Sequence, residues 1–118
     1  MLEIQEKDNV EIVNMIYEIR GQQVMLDSDL AKLYQCKNGT KSINLAVKRH
    51  LNRFPERFMF QLTEDEVKSL RFQIETANNK TRTLPYVFTE QGVAMLSAIL
   101  RTEVAEEISI AIMDAFVS

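Results

Sequence analysis

At 118 residues, with 46% hydrophobic and 26% charged side chains, the chain is one domain of ordinary size, long enough to bury a core without disulfide or metal staples. Its single cysteine excludes an internal disulfide, and a net charge of −3 argues against a protein that coats polyanions through overall charge. The start, MLEIQEKDNVEI, has no basic region followed by an apolar run, which excludes a signal peptide or a membrane span there and leads us to expect a soluble, cytoplasmic protein.

In chain order, residues 1–11 read as a loose lead-in and 12–118 as one unit without internal repeats, low-complexity tracts or linkers. Residues 12–20 alternate, with Met15, Tyr17 and Ile19 on one side and Ile16, Glu18 and Arg20 on the other, which predicts a strand. Gly21 and Gln22 turn the chain, and 23–26 return as a second strand. Asp27 or Ser28 is expected to cap a short helix whose stripe is Leu30, Ala31, Leu33 and Tyr34. Cys36 fits a small residue at that helix's end better than a nucleophile.

Asn38-Gly39 signals a turn, and Thr40 is placed to cap a helix over 40–53. At 100° per residue, Ile43, Val47, Leu51 and Phe54 fall on one side, with Ala46 and His50 at its edge. The opposite side carries Lys41, Asn44, Lys48, Arg49 and Asn52, flanked by Ser42 and Arg53, with Leu45 alone among polar groups. Between Lys37 and Arg57 stand six basic residues and one acid, Glu56, a local +5 in a chain of −3, so the remainder sums to −8. Lys and Arg neutralise phosphate, and Arg and Asn also reach base edges, so this face has the inventory of a DNA recognition helix. A merely solvated charged face is the ordinary alternative. Helix, Gly-containing turn, helix is the outline of a helix-turn-helix, with a slightly long turn.

Phe54-Pro55 ends that helix, and Phe58, Phe60 and Leu62 mark a strand. Thr63-Glu64-Asp65-Glu66 spells a capping box ahead of a stripe of Val67, Leu70 and Ile74. Its three carboxylates suit a helix dipole better than a metal or acid-base site. The loop 76–83 carries Lys80 and Arg82 without an acid and suits either a wing along DNA or a plain connector. A strand is expected over 84–88. Thr89 then caps a helix with Val93, Leu96 and Leu100 inward, and Gly92 in its first turn permits close packing. Thr102 starts a last helix, 103–117, with Glu103, Glu106 and Glu107 at its positive end. The second half, ISIAIMDAFV, is apolar on nearly every side, which predicts a helix shared with a partner and a chain that continues into an oligomerisation segment or a second domain. The plainer expectation is that Phe116 and Val117 finish this core.

The runs IRGQQVMLDSDLAKLY, INLAVKRHLNRFPERFMFQLTEDE and LPYVFTEQGVAMLSAIL, in this order, resemble the phage-encoded ORF-six-N family, a relative of the KilA-N domains. The resemblance runs from about Tyr17 to Val117. It implies a DNA-binding module of phages, prophages and some large viruses, usually the N-terminal part of a longer protein, as in antirepressor-like proteins. The family's strongest run corresponds to Ala46-Val47-Lys48-Arg49 and Arg53-Phe54-Pro55, while Phe88 to Gly92 reads as a structural turn and cap. The chain departs from the pattern at Lys37-Asn38-Gly39, and at Asn-Asn-Lys-Thr-Arg before Leu84.

The expectation is therefore an α+β domain with an N-terminal β-hairpin, a helix-turn-helix-like helical pair, two further short strands and C-terminal helices. Its partner is double-stranded DNA, with a homodimer through the last helix as a possible assembly and no membrane. The expected nucleic-acid contacts are Lys41, Ser42, Asn44, Lys48, Arg49, Asn52, Arg53, Lys80 and Arg82. No enzyme activity, cofactor or metal is expected, since His50 sits at a packed edge without clustered acids. A protein interaction module acting through the last helix is the alternative.

Overall fold

The computed structural model describes residues 11–70 and 84–117. Four strands form one antiparallel sheet in the order β1-β2-β4-β3. β1 (Ile16–Ile19) and β2 (Gln22–Leu26) make the hairpin, whose register pairs Ile19 with Gln22. Its two-residue loop is Arg20-Gly21, both at positive φ (56° and 74°), the combination whose twist matches paired strands. The turn thus lies one residue earlier than the sequence suggested. The strand expected from Ile12 begins only at Ile16. Residues 11–13 are helical, and the Met15 N–H closes a turn on the Ile12 carbonyl at 2.9 Å, which carries Ile12 into the core.

α1 (Asp27–Leu33) follows β2 directly. Neither Asp27 nor Ser28 caps it: Leu26 occupies the cap position, and the buried Asp27 carboxylate instead accepts the Tyr86 backbone N–H at 3.2 Å. α1 ends with Gln35 at φ 56°, the Cys36 N–H on the Ala31 carbonyl and the Gln35 N–H on the Lys32 carbonyl, the two bonds of a Schellman motif. The connection 34–39 leads to α2 (Thr40–Arg49). Gly39, at φ 60°, takes the cap position there, so Thr40 is the first helical residue and makes no side-chain cap bond. β3 (Met59–Gln61), α3 (Glu64–Ser69), β4 (Tyr86–Thr89), α4 (Glu90–Leu100) and α5 (Glu103–Val117) complete the described elements.

Period-two alternation divides the core. Met25 and Phe88 face a cluster with Leu30, Ile43, Val47, Leu96 and Ile112, contributed by α1, α2, α4 and α5. Val24, Leu26 and Val87 face the other way, onto Ile19, Phe60, Leu62 and Leu70. Phe54 meets Phe88 edge to face at 6.0 Å, seating the chain after α2 on the sheet.

The predicted capping box of α3 is complete, with the Thr63 hydroxyl accepting the Glu66 N–H and the Glu66 carboxylate accepting the Thr63 N–H. Ile74 and residues 76–83, expected as a loop, lie outside the described residues. Thr89 caps α4 and Thr102 caps α5, accepting the Gly92 and Ala105 N–H groups. In α5, Phe116 is buried in the core and Ile112 is fully enclosed, but Ile110 and Val117 stand 66% and 79% exposed. Part of the apolar surface of α5 therefore serves this core. No described helix is long and apolar enough to cross a membrane.

Candidate nucleic-acid interface

α2 buries Ile43 and Val47 against the core and leaves Lys41, Leu45, Lys48 and Arg49 outside, with Leu45 four residues from both Lys41 and Arg49 and three from Lys48, the spacing of one helix face. Leu45 is 46% exposed, as expected of an apolar residue within a polar face. Ser42 and Asn44 are half-buried on the two flanks, so neither shares the fully open position of the cations.

The helix does not run to Arg53. His50 adopts φ −132° and ψ 39°, and Leu51–Arg53 form a separate 3₁₀ turn closed by Arg53 N–H on the His50 carbonyl. This break overturns the core assignment of Leu51. A continuous helix would have stacked Leu51 over Val47, whereas the tighter turn leaves Leu51 60% exposed and still brings Phe54 into the core. Asn52 and Arg53 are exposed on the same turn. His50 is half-buried, and its Nδ1–H donates to the Ala46 carbonyl at 3.1 Å, which holds the ring at the helix edge.

Electrostatically, the band is left open. Among the described residues the ion pairs belong to Arg20, and no carboxylate lies within pairing distance of Lys37, Lys41, Lys48, Arg49 or Arg53. Glu56, the one acid in the stretch, leans away toward Arg20 at 3.9 Å. Arg57 lies over the Phe58 ring at 5.3 Å. Unneutralised cations on one face concentrate positive potential where an anion could dock. Lys80 and Arg82 lie outside the described residues. Burial pushes the Cys36 thiol above its ordinary range, which suits a packing role.

A cleft of about 310 Å³ adjoins the band, between the Asn44 flank of α2 and the ends of β3 and β4. Asn44, Val47, Lys48 and Leu51 form one wall, and Met59 and Tyr86 the other. Periodicity offers no sign of it, because the sheet wall, Met59 and Tyr86, stands 8 to 42 residues along the chain from the α2 wall and the helical pattern points Leu51 inward.

A family model for the ORF6N domain matches residues 14–99. The chain belongs to the ORF6N domain family. No curated protein and no solved structure matches it. The ORF6N match takes in the hairpin, α1, α2 and its 3₁₀ extension, and ends within α4, so α5 lies beyond it, whereas the resemblance in the sequence extends to about Val117.

Within this ORF6N domain the Phe88-to-Gly92 run acts as a clamp. Thr89 donates its N–H to the Phe58 carbonyl at 3.0 Å and its hydroxyl to the Arg57 carbonyl at 2.8 Å. Gly92 packs so closely that a Cβ there would overlap the Phe58 carbonyl oxygen. The strand end that supplies Met59 is thereby fixed against α4. A second fastening escaped sequence reasoning altogether. Arg20, at the hairpin tip, makes a two-bond pair with Glu66 at 2.8 and 3.0 Å and lies over Phe60 at 4.2 Å. The Arg20 hydrogen bonds hold the Glu66 carboxyl down to about 2. The only local hint was the arginine beside Gly21, since the partners are 46 residues apart.

Proposed function

We propose that this domain binds double-stranded DNA by laying α2 and its 3₁₀ extension on the duplex. Lys41, Lys48, Arg49 and Arg53 engage phosphates, while Asn52, at the end of the band, and the flanking Asn44 and Ser42 reach toward base edges. The observation that carries this reading is that Lys41, Lys48 and Arg49 stand exposed on one face of α2 with no carboxylate in pairing distance among the described residues, in a chain whose net charge is negative. Membership of the ORF6N family supports a phage or prophage origin and a regulatory, antirepressor-like role in the cytoplasm, as a binding module and not an enzyme. Lys80 and Arg82, which precede β4 in the sequence, are proposed as auxiliary phosphate contacts.

Fluorescence anisotropy of a labelled random duplex, titrated with the domain at several salt concentrations, tests the proposal. Four phosphate contacts give a log–log salt slope of roughly −3.6. The reversal Lys48→Glu with Arg49→Glu abolishes binding and leaves the melting temperature unchanged, because both side chains are exposed. Salt-independent affinity, or full affinity in the double reversal, would refute it.

A second reading rests on the exposed Ile110 and Val117 of α5: a homodimer, or a docking module for another protein, assembled through this helix. It predicts concentration-dependent sedimentation that Ile110→Asp abolishes.

A further inference from the structure

We infer that the cleft between α2 and the sheet receives a single unstacked nucleotide. The inference rests on the DNA-binding reading only for the use of the cation band as a phosphate site. Three observations combine. First, the walls supply apolar surface from Val47, Leu51 and Met59 together with one aromatic ring, Tyr86, and a volume of about 310 Å³ lies at the small end of ligand sites. Second, the polar groups on the lining are unengaged: among the described residues no hydrogen bond holds the Asn44 carboxamide and no carboxylate pairs with Lys48. Third, Lys48 belongs both to the cleft lining and to the exposed face of α2 that carries Lys41 and Arg49.

An occupant must therefore offer an apolar planar face, an edge with donors and acceptors, and an adjacent anion. A nucleotide has all three, and aromatic and apolar walls beside a cationic track are how proteins hold bases outside the stack. A carboxamide, which both donates and accepts, can pair with the edge of any base. The break at His50 is what makes the site. A regular helix through Arg53 would turn Leu51 into the core and remove that wall.

The same chemistry comes from a base displaced from a duplex, from a single strand or from a free nucleotide, and one set of titrations separates them. The 118-residue protein, labelled at its methionine and leucine methyl groups, is titrated with deoxynucleoside monophosphates, a single-stranded oligonucleotide, and a hairpin duplex containing one 2-aminopurine, a base quenched while stacked. Occupancy of the cleft shifts the Met59 and Leu51 methyl resonances. Leu51→Gln, at an exposed position, preserves the fold and weakens cleft binding at least about five-fold, while salt-dependent duplex binding through the band persists. A rise in 2-aminopurine emission that Leu51→Gln suppresses supports a base displaced from duplex DNA. Methyl shifts with single strands or mononucleotides, without that rise, support the site with an unpaired source. Duplex binding with unmoved Met59 resonances for every probe and no rise in emission overturns the cleft assignment while leaving the proposed function standing. Absence of duplex binding with methyl shifts from mononucleotides does the reverse.

Discussion

Gly92→Ala isolates the contact that fixes β3, and with it one wall of the cleft, against α4. In an unconstrained helix this replacement stabilises by about 1 kcal/mol, because glycine loses more backbone freedom on folding. Here the new Cβ would overlap the Phe58 carbonyl oxygen and stand 2.8 Å from its carbonyl carbon. Both are backbone atoms, so no side-chain rotation relieves the clash. The strand end must move away from the helix, and overpacking of this kind costs about 1–3 kcal/mol. Moving it also weakens the Thr89 N–H bond to Phe58 at 3.0 Å and the Thr89 hydroxyl bond to Arg57 at 2.8 Å, each contributing about 1 kcal/mol. Set against the propensity gain, the net loss is about 2–4 kcal/mol, a fall in melting temperature on the order of 10 °C. Urea and thermal unfolding followed by circular dichroism at 222 nm measure it. Ala98→Gly, at an exposed site in the same helix, serves as the opposite control and costs only about 1 kcal/mol. A melting temperature for Gly92→Ala equal to or above that of the parent would refute the close approach.

Two buried or paired carboxylates give opposite signs. Glu66 is held at about 2, below its ordinary 4.5, chiefly by the Arg20 hydrogen bonds, so its stabilisation is complete above the ordinary value and is lost as pH falls from about 4.5 toward 2. Glu66→Gln, which keeps the capping-box geometry, lowers the melting temperature at pH 7, and its gap to the parent closes on acidification; a gap constant down to pH 2.5 would count against the Arg20 pair. Asp27 is shifted the other way, upward through burial, so its ionisation costs stability as pH rises from the ordinary carboxylate value through the raised one. Asp27→Asn keeps an acceptor for the Tyr86 N–H and leaves the protein at least as stable at pH 7, with the advantage shrinking in acid; Asp27→Leu leaves that N–H unpaired and costs about 1–3 kcal/mol. A denaturant series for both variants from pH 7 to pH 3 checks the order.

Local chemistry by itself determined a good deal of this molecule. The capping box at Thr63 and Glu66, the caps at Thr89 and Thr102, the stripe of Ile43 and Val47, and the outward placement of Lys41, Leu45, Lys48 and Arg49 all follow from residues within one or two turns of each other. Such signals are legible because a helix fixes the geometry of i, i+3 and i+4 neighbours whatever lies beyond them. The family motifs were legible for the same reason of spacing. Only the tertiary structure decided that Asp27 tethers β4 instead of capping α1, that Arg20 reaches across the sheet to Glu66, and that Gly92 makes room for the Phe58 carbonyl just ahead of β3. Each depends on a partner more than 30 residues away. Leu51 shows the difference most clearly. Its periodicity points inward, but the chain leaves the α-helix at His50 and tightens into a 3₁₀ turn that still seats Phe54 against Phe88, and the changed rotation per residue turns Leu51 from a core position into the outer wall of a cleft.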